Sequence, residues 1–167
     1  KNLALANQLG ASKLTNVNVS ALSNLTFLSL EKNDLTTIDV TNNTLLTHLY
    51  VGESNNISSI NVTNNINLLQ LGVNGTSIST IDVSANTALT HLYLSDANVS
   101  TLEITNNALL QLLYLRNNNI SSLDVSHLSA LEVLTTEGNP LNAIDLSNNI
   151  NLKTYYGSNL TGSLNTL

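Results

Sequence analysis

The sequence predicts a solenoid: one mostly β domain of stacked coils, with two short parallel sheets joined by Asn-rich turns, little or no helix and slight curvature. Three observations predict it. A pattern of 21 residues recurs along nearly the whole chain of 167. Each half of that pattern alternates apolar and polar residues with the strand period of two. Leucine fills 34 positions and asparagine 29, and both fall at fixed places in the pattern, so core and turns are each built from one residue type.

The repeat is plain in the letters. Leu25 to Leu45 reads LTFLSLEKNDLTTIDVTNNTL, Leu89 to Leu109 reads LTHLYLSDANVSTLEITNNAL, and Leu110 to Ala130 reads LQLLYLRNNNISSLDVSHLSA. The common form is L-x-x-L-x-L-x-x-N-x-L-x-x-L-D-V-S-x-N-x-x. Repeats start at residues 4, 25, 46, 68, 89, 110 and 131, with a partial unit from 152. The third is one residue longer, near Gly52, Glu53 and Ser54. Nothing interrupts the series, so residues 1–167 form a single domain. Neither half-repeat is long enough for an amphipathic helix. Each coil is therefore expected to carry one strand per half.

One coil has about six apolar positions and nothing of its own to bury them against. Stacking in register supplies a partner, leucine on leucine, and each coil then depends on its neighbours. The asparagines occupy two columns. Asn33, Asn55, Asn118 and Asn139 form one; Asn43, Asn65, Asn86, Asn107 and Asn149 form the other. An amide both donates and accepts, so stacked asparagines can satisfy turn backbones at the core edge. Ser12, Thr76 and Ala97 break the first column, and Leu22 and Leu128 the second.

This pattern resembles the leucine-rich repeat family, in its short 21-residue bacterial class with nested half-repeats. The Leu-Asp-Val-Ser-x-Asn wording looks like that of Bacteroidetes members. The resemblance covers residues 4 to 167 and implies a non-enzymatic recognition module, secreted or on the surface of a bacterium. Members often carry cysteine at the sixth repeat position. Here that position holds Leu9, Leu30, Val51, Val73, Leu94, Leu115 and Thr136.

Composition excludes other classes. The chain has no cysteine, so no disulfide and no thiolate chemistry. Five basic residues are scattered against eleven acidic ones, which leaves no patch for nucleic acid. No apolar run reaches the length of a membrane span, so no insertion is expected. No phosphate loop or ordered triad appears, and no cofactor or enzymatic activity is expected. His48 and His91 lie two coils apart, too far to share a zinc ion. The chain opens Lys1-Asn2-Leu3 without an initiator methionine, as expected of a processed piece.

Comparing the two halves of the repeat locates the binding surface. Outward positions beside the second strand are monotonous: Thr37-Asp39-Thr41, Thr80-Asp82-Ser84, Thr101-Glu103-Thr105, Ser122-Asp124-Ser126. This reads as scaffold. Weak calcium binding is the most expected of the carboxylates Asp82, Glu103, Asp124 and Asp145. The first strand differs. Its outward pairs read Ala6-Gln8, Phe27-Ser29, His48-Tyr50, Gln70-Gly72, His91-Tyr93, Leu112-Tyr114, Val133-Thr135 and Thr154-Tyr156. They hold five of the six aromatics and two of the three histidines. Arg116 and Glu137 extend the same surface. Tyr50 and Tyr93 should stand ~9.6 Å apart, two strand spacings, with only Gly72 between them, as the walls of an open notch. The expected ligand is a protein or polysaccharide. The alternatives are a structural spacer or adhesin stalk, and a carbohydrate-binding accessory module of a secreted enzyme.

Overall fold

The computed structural model describes residues 1–6, 12–53 and 56–157. Eight strands of three residues each form one parallel sheet in chain order. They are β1 (Asn2–Ala4), β2 (Phe27–Ser29), β3 (His48–Tyr50), β4 (Gln70–Gly72), β5 (His91–Tyr93), β6 (Leu112–Tyr114), β7 (Val133–Thr135) and β8 (Thr154–Tyr156). The strands β2 to β8 are the segments expected from the first half-repeat. Among the described residues no helix is long and apolar enough to cross a membrane.

Side chains alternate across each strand, so the central residue points inward. Leu28, Leu49, Leu71, Leu92, Leu113 and Leu134 stack as one fully buried column. The sixth repeat position gives a second, Leu30, Val51, Val73, Leu94 and Leu115, ended by a buried Thr136. A third, Val40, Val62, Val83, Ile104 and Val125, closes the core from the far side.

Strand register confirms the period and its one insertion. Phe27 pairs with His48, a step of 21, and His48 with Gln70, a step of 22. The first coil departs from expectation. Asn2 pairs with Phe27, so the strand is Asn2–Ala4 and not Ala6–Gln8, and the step is 25 residues. Leu3 occupies the column of Leu28, and the Leu5 amide donates to the Ser29 carbonyl at 2.8 Å. An L-x-L triplet four residues upstream thus takes the strand position. The expected residues Gln8 and Leu9, and Asn55 of the first asparagine column, lie outside the described residues.

The second expected sheet is absent among the described residues. The Leu-Asp-Val segments carry no strand, and successive coils meet on that side by single backbone bonds nearby, such as Asn98 N to Ile78 O at 3.0 Å. The physical reason lies in the carbonyls. The Val40 carbonyl accepts the Asn43 amide within its own turn at 2.9 Å and the Asn65 side chain of the next coil at 3.1 Å. A carbonyl has two lone pairs. Both are occupied, and none remains for a strand ladder.

The second asparagine column repeats this arrangement. Asn86 Nδ2 donates to Val62 O at 3.1 Å and Asn65 O at 2.8 Å. Asn107 and Asn149 do the same one coil further on in each case. These amides are buried, and their Oδ1 atoms have no protein partner. Donation is the function that the column needs. Leu128 breaks it, and the neighbouring His127 compensates: its Nε2 reaches the Ile104 carbonyl at 2.9 Å.

The first column works differently. Each coil passes through the left-handed region once, at Lys32, Glu53, Gly75, Asp96, Asn117 and Gly138. The asparagine that follows folds its amide back. Asn118 Nδ2 donates to Leu115 O at 3.0 Å and Leu94 O at 2.7 Å, while its Oδ1 accepts the Val99 amide at 3.0 Å. At the break in this column Thr76 keeps one such bond, Oγ1 to Val73 O at 2.8 Å.

The two carbonyls capped by Asn86 make a sharp test. Asn86→Ala should cost about 1–3 kcal/mol, the net worth of two lost hydrogen bonds at ~0.5–1.5 each, because both carbonyls keep a backbone donor. Asn86→Asp should cost more at neutral pH, because a carboxylate donates nothing. Its deficit should shrink on acidification, when the protonated acid recovers one donor. Urea midpoints at two pH values check this; an Asp variant no worse than the Ala variant would contradict the capping role.

Candidate functional site

The third and fifth positions of each repeat project from the outer face of the sheet, because the leucine between them is held inward. Strand pairing sets these side chains one lattice step apart. Phe27 contacts His48 and Tyr50, with ring centroids 6.0 and 5.8 Å apart. Tyr50 lies 6.4 Å from Tyr93, His91 6.1 Å from Tyr93, and Tyr93 stacks on Tyr114 at 5.3 Å and 23°. Phe27, Tyr50, Tyr93 and Tyr114 thus form a continuous ribbon of rings across β2 to β6.

The open notch expected at Gly72 is closed. Two strand spacings would separate Tyr50 from Tyr93 by ~9.6 Å, yet their centroids are 6.4 Å apart. Tyr50 lies across the glycine: a Cβ built on Gly72 would stand 2.6 Å from Tyr50 Cδ1. The Tyr50 hydroxyl donates to Gln70 Oε1, which pins the ring there. The missing side chain serves ring packing and leaves no cavity for a ligand.

Two histidines sit in the same surface with their orientation set. Thr47 Oγ1 donates to Thr26 O at 2.9 Å, so toward His48 Nδ1, 2.9 Å away, it can only accept. Thr90 repeats this with Leu69 O and His91 Nδ1. Nδ1 of each ring is therefore the donor, and in the neutral tautomer this leaves Nε2 as an acceptor. Burial pushes the His91 imidazolium down in pKa, and His48 adds to the effect. Burial also raises the hydroxyls of Tyr50 and Tyr93, with neighbouring tyrosines and Glu31 contributing.

The remaining expected site residues gather at the other end of the face. Tyr114, Arg116, Glu137 and Tyr156 line an open depression of about 440 Å³, together with Ser95, Asp96 and Thr135. Sequence reading placed Thr135 on this face and Asp96 beside it without counting either among the site residues, and missed Ser95. The signal for Thr135 was present: it is a small residue flanked by tyrosines in a fifth-position column, the rule that had singled out Gly72.

The opposite side of the coils is built for turns. Asp82 Oδ1 accepts the amide of Ser84 at 2.9 Å and its hydroxyl at 2.6 Å, and Asp39 holds Thr41 likewise. Asp124 and Asp145 accept the amides of Ser126 and Ser147. Hydrogen bonds to the side chain and backbone two residues on lower all four carboxyl pKa values. Asn61 makes the same turn with Thr63, so the charge is dispensable. Among the described residues no group of three or more His, Asp or Glu converges as a metal site. The weak calcium binding expected of Asp82, Glu103, Asp124 and Asp145 finds no supporting geometry. A separate depression of about 240 Å³ beside Glu103 and Asp124 is lined by Ser, Thr and His127 and has no aromatic wall.

Two predictions arise from these faces. Gly72→Ala should lift the Tyr50 ring off β4 and change the near-ultraviolet circular dichroism, while costing less than about 1 kcal/mol because the ring can swing outward. Gly52→Ala drives a Cβ into the Asn74 backbone, which cannot move aside, and should cost at least about 3 kcal/mol, the top of the overpacking range. Equal losses in the two variants would contradict this account. Acidification should lower stability in two stages. His91 is held neutral, so its contribution is complete above about pH 6.5 and is lost as the pH falls through that value. The four aspartates have lowered pKa values, so theirs is complete above about pH 3.9 and is lost as the pH falls further. His91→Gln should remove the first stage only, as read from thermal midpoints against pH.

No family model matches the chain, and no curated protein matches it in sequence. Solved structures do match. An internalin (inlF) from Listeria monocytogenes is 27% identical with a TM-score of 0.82, over 97% of this chain and 48% of the internalin chain. The functional domain of InlJ from the same organism, described as including a cysteine ladder, is 26% identical with a TM-score of 0.66, over 93% and 43% of the respective chains. This chain thus spans less than half the length of either. It contains no cysteine; its sixth-position column is built from Leu, Val and Thr. With parallel three-residue strands, 21-residue coils and stacked leucine columns, the chain has the leucine-rich-repeat fold of these internalins.

Proposed function

We propose that the chain is a non-catalytic recognition module, acting on the surface of or outside a bacterial cell, and that it binds a protein partner through the outer face of its single sheet. The observation that carries this reading is the ring ribbon from Phe27 to Tyr114. The fold does not require it. The buried columns already complete the core, and the far side of the coils reaches the same packing with Thr, Ser and Asp. Tyrosine supplies large contact area at low entropic cost and offers a hydroxyl at the ring tip. The acceptor atoms of His48 and His91 add directional bonds beside the ribbon. Similarity to two internalins supports a recognition role and a bacterial setting outside the cell.

The test uses the chain as bait against purified extracellular proteins, in parallel with two double variants. Tyr50→Ala with Tyr93→Ala should weaken a captured partner by about 2 kcal/mol or more, a hot-spot loss. Asp82→Asn with Asp124→Asn should leave affinity unchanged. A partner insensitive to the tyrosines and sensitive to the aspartates would move the interface to the other side and overturn the proposal.

A further inference from the structure

The fifth-position column does not behave alike along the sheet. At Gly72 the preceding tyrosine lies over the small residue. Over Thr135 there is a depression instead, walled by Tyr114, whose ring stacks on Tyr93. Thr135 is itself only 6% exposed and accepts the Leu115 amide on Oγ1 at 3.2 Å. Its side chain forms part of the floor of the depression. Tyr156, 55% exposed, stands on the other side. Two strand spacings, ~9.6 Å, separate the tyrosines at the backbone. The space over Thr135 stays open as the depression of about 440 Å³, within the ~300–1,000 Å³ usual for small-ligand sites.

Its rim has both signs of charge. Arg116 and Glu137 are in none of the ion pairs among the described residues, which join Lys13 to Asp34, Lys32 to Glu53 and Lys153 to Glu132. Asp96 binds the Asn117 amide through Oδ1 at 2.6 Å. An anion would face Asp96 and Glu137, in a chain of net charge −6. A cation would be drawn to the two carboxylates but would meet Arg116 between them and leave its five donors unused. A neutral polyhydroxylated ring meets neither penalty. Its hydroxyls donate to the carboxylates and accept from the guanidinium, and paired hydroxyls suit the bidentate geometry of either group. Its C–H faces suit the walls formed by Tyr114 and Tyr156. We propose that this depression is a subsite for one neutral sugar ring of a glycan chain. The proposal rests on the sheet face being the recognition surface, and is independent of what the ring ribbon binds.

The test titrates the full chain with neutral hexasaccharides of glucose, mannose, galactose and N-acetylglucosamine, using calorimetry and the NMR signals of the tyrosine rings. An oligogalacturonate and a chitosan oligomer serve as the anionic and cationic controls. At least one neutral hexasaccharide should bind saturably at millimolar concentration or below and shift Tyr114 and Tyr156. Tyr156→Ala and Tyr114→Ala should each weaken it roughly tenfold, which corresponds to 1.4 kcal/mol. Thr135→Tyr, which fills the depression as the ribbon fills Gly72, should abolish binding even if a truncation perturbs folding. Asp39→Asn, on the other side of the coils, should bind as the parent does. Absence of binding by every neutral hexasaccharide would overturn the proposal, as would tighter binding of either charged control, or shifts confined to Tyr50 and Tyr93. If the sugars fail while the ribbon variants lose a protein partner, the subsite falls and the recognition reading stands.

Discussion

Every coil of this protein turns its chain at the edge of a dry core, and each turn leaves carbonyl oxygens there that water cannot reach. The asparagine of the next coil caps them. Asn65, Asn86 and Asn107 each donate twice, to the turn below and to the residue three positions before it. This sets the spacing of coils on the side where no strands pair. It also explains a local cost, since the Oδ1 atoms are left without a protein partner. A buried acceptor that loses its donor costs about as much as the orphaned amide oxygen, and the column covers two carbonyls for each oxygen it leaves bare. His127 shows that the requirement is for a donor and not for asparagine itself: with Leu128 in the column, the imidazole reaches the same carbonyl.

The capping scheme determines how many sheets the protein has. The last carbonyl of each Leu-Asp-Val segment is taken by its own turn and by a side chain of the next coil, and among the described residues that side of the coil packs without a ladder. The strands β2 to β8 spend theirs on neighbouring strands. One side of the solenoid is therefore a flat lattice with side chains at regular spacing, and the other a row of turns closed by Asp and Asn. Only the lattice can bring rings from successive coils into register, and that is where the aromatic residues lie.

On that lattice small residues do not have fixed meanings. Gly72 and Thr135 each interrupt a column of tyrosines. The first is covered because Tyr50 finds Gln70 Oε1 beyond it. The second lies at an open depression, beside a Tyr114 ring stacked on Tyr93. Contacts between rings of neighbouring coils, and not the small residue alone, distinguish the two gaps.

Repeat length, the columns of leucine and asparagine, strands β2 to β8 and the crowding of aromatics on one face could all be read from the letters. Each is a property of a residue and its periodic equivalents, and periodicity is a sequence quantity. The insertion in the third repeat was legible for the same reason. Three features were not. The first strand starts four residues earlier than the repeat frame suggests, with Leu3 in the column of Leu28, while Leu5 stays exposed. Among the described residues half of each repeat alternates like a strand and forms none; the carbonyl that ends it goes to its own turn and to a side chain one coil away. The open depression lies over Thr135 and not over Gly72, because ring orientation depends on contacts between coils. Alternation, spacing and composition are local, whereas the competition for a carbonyl or a ring face is settled only when neighbouring coils are in place.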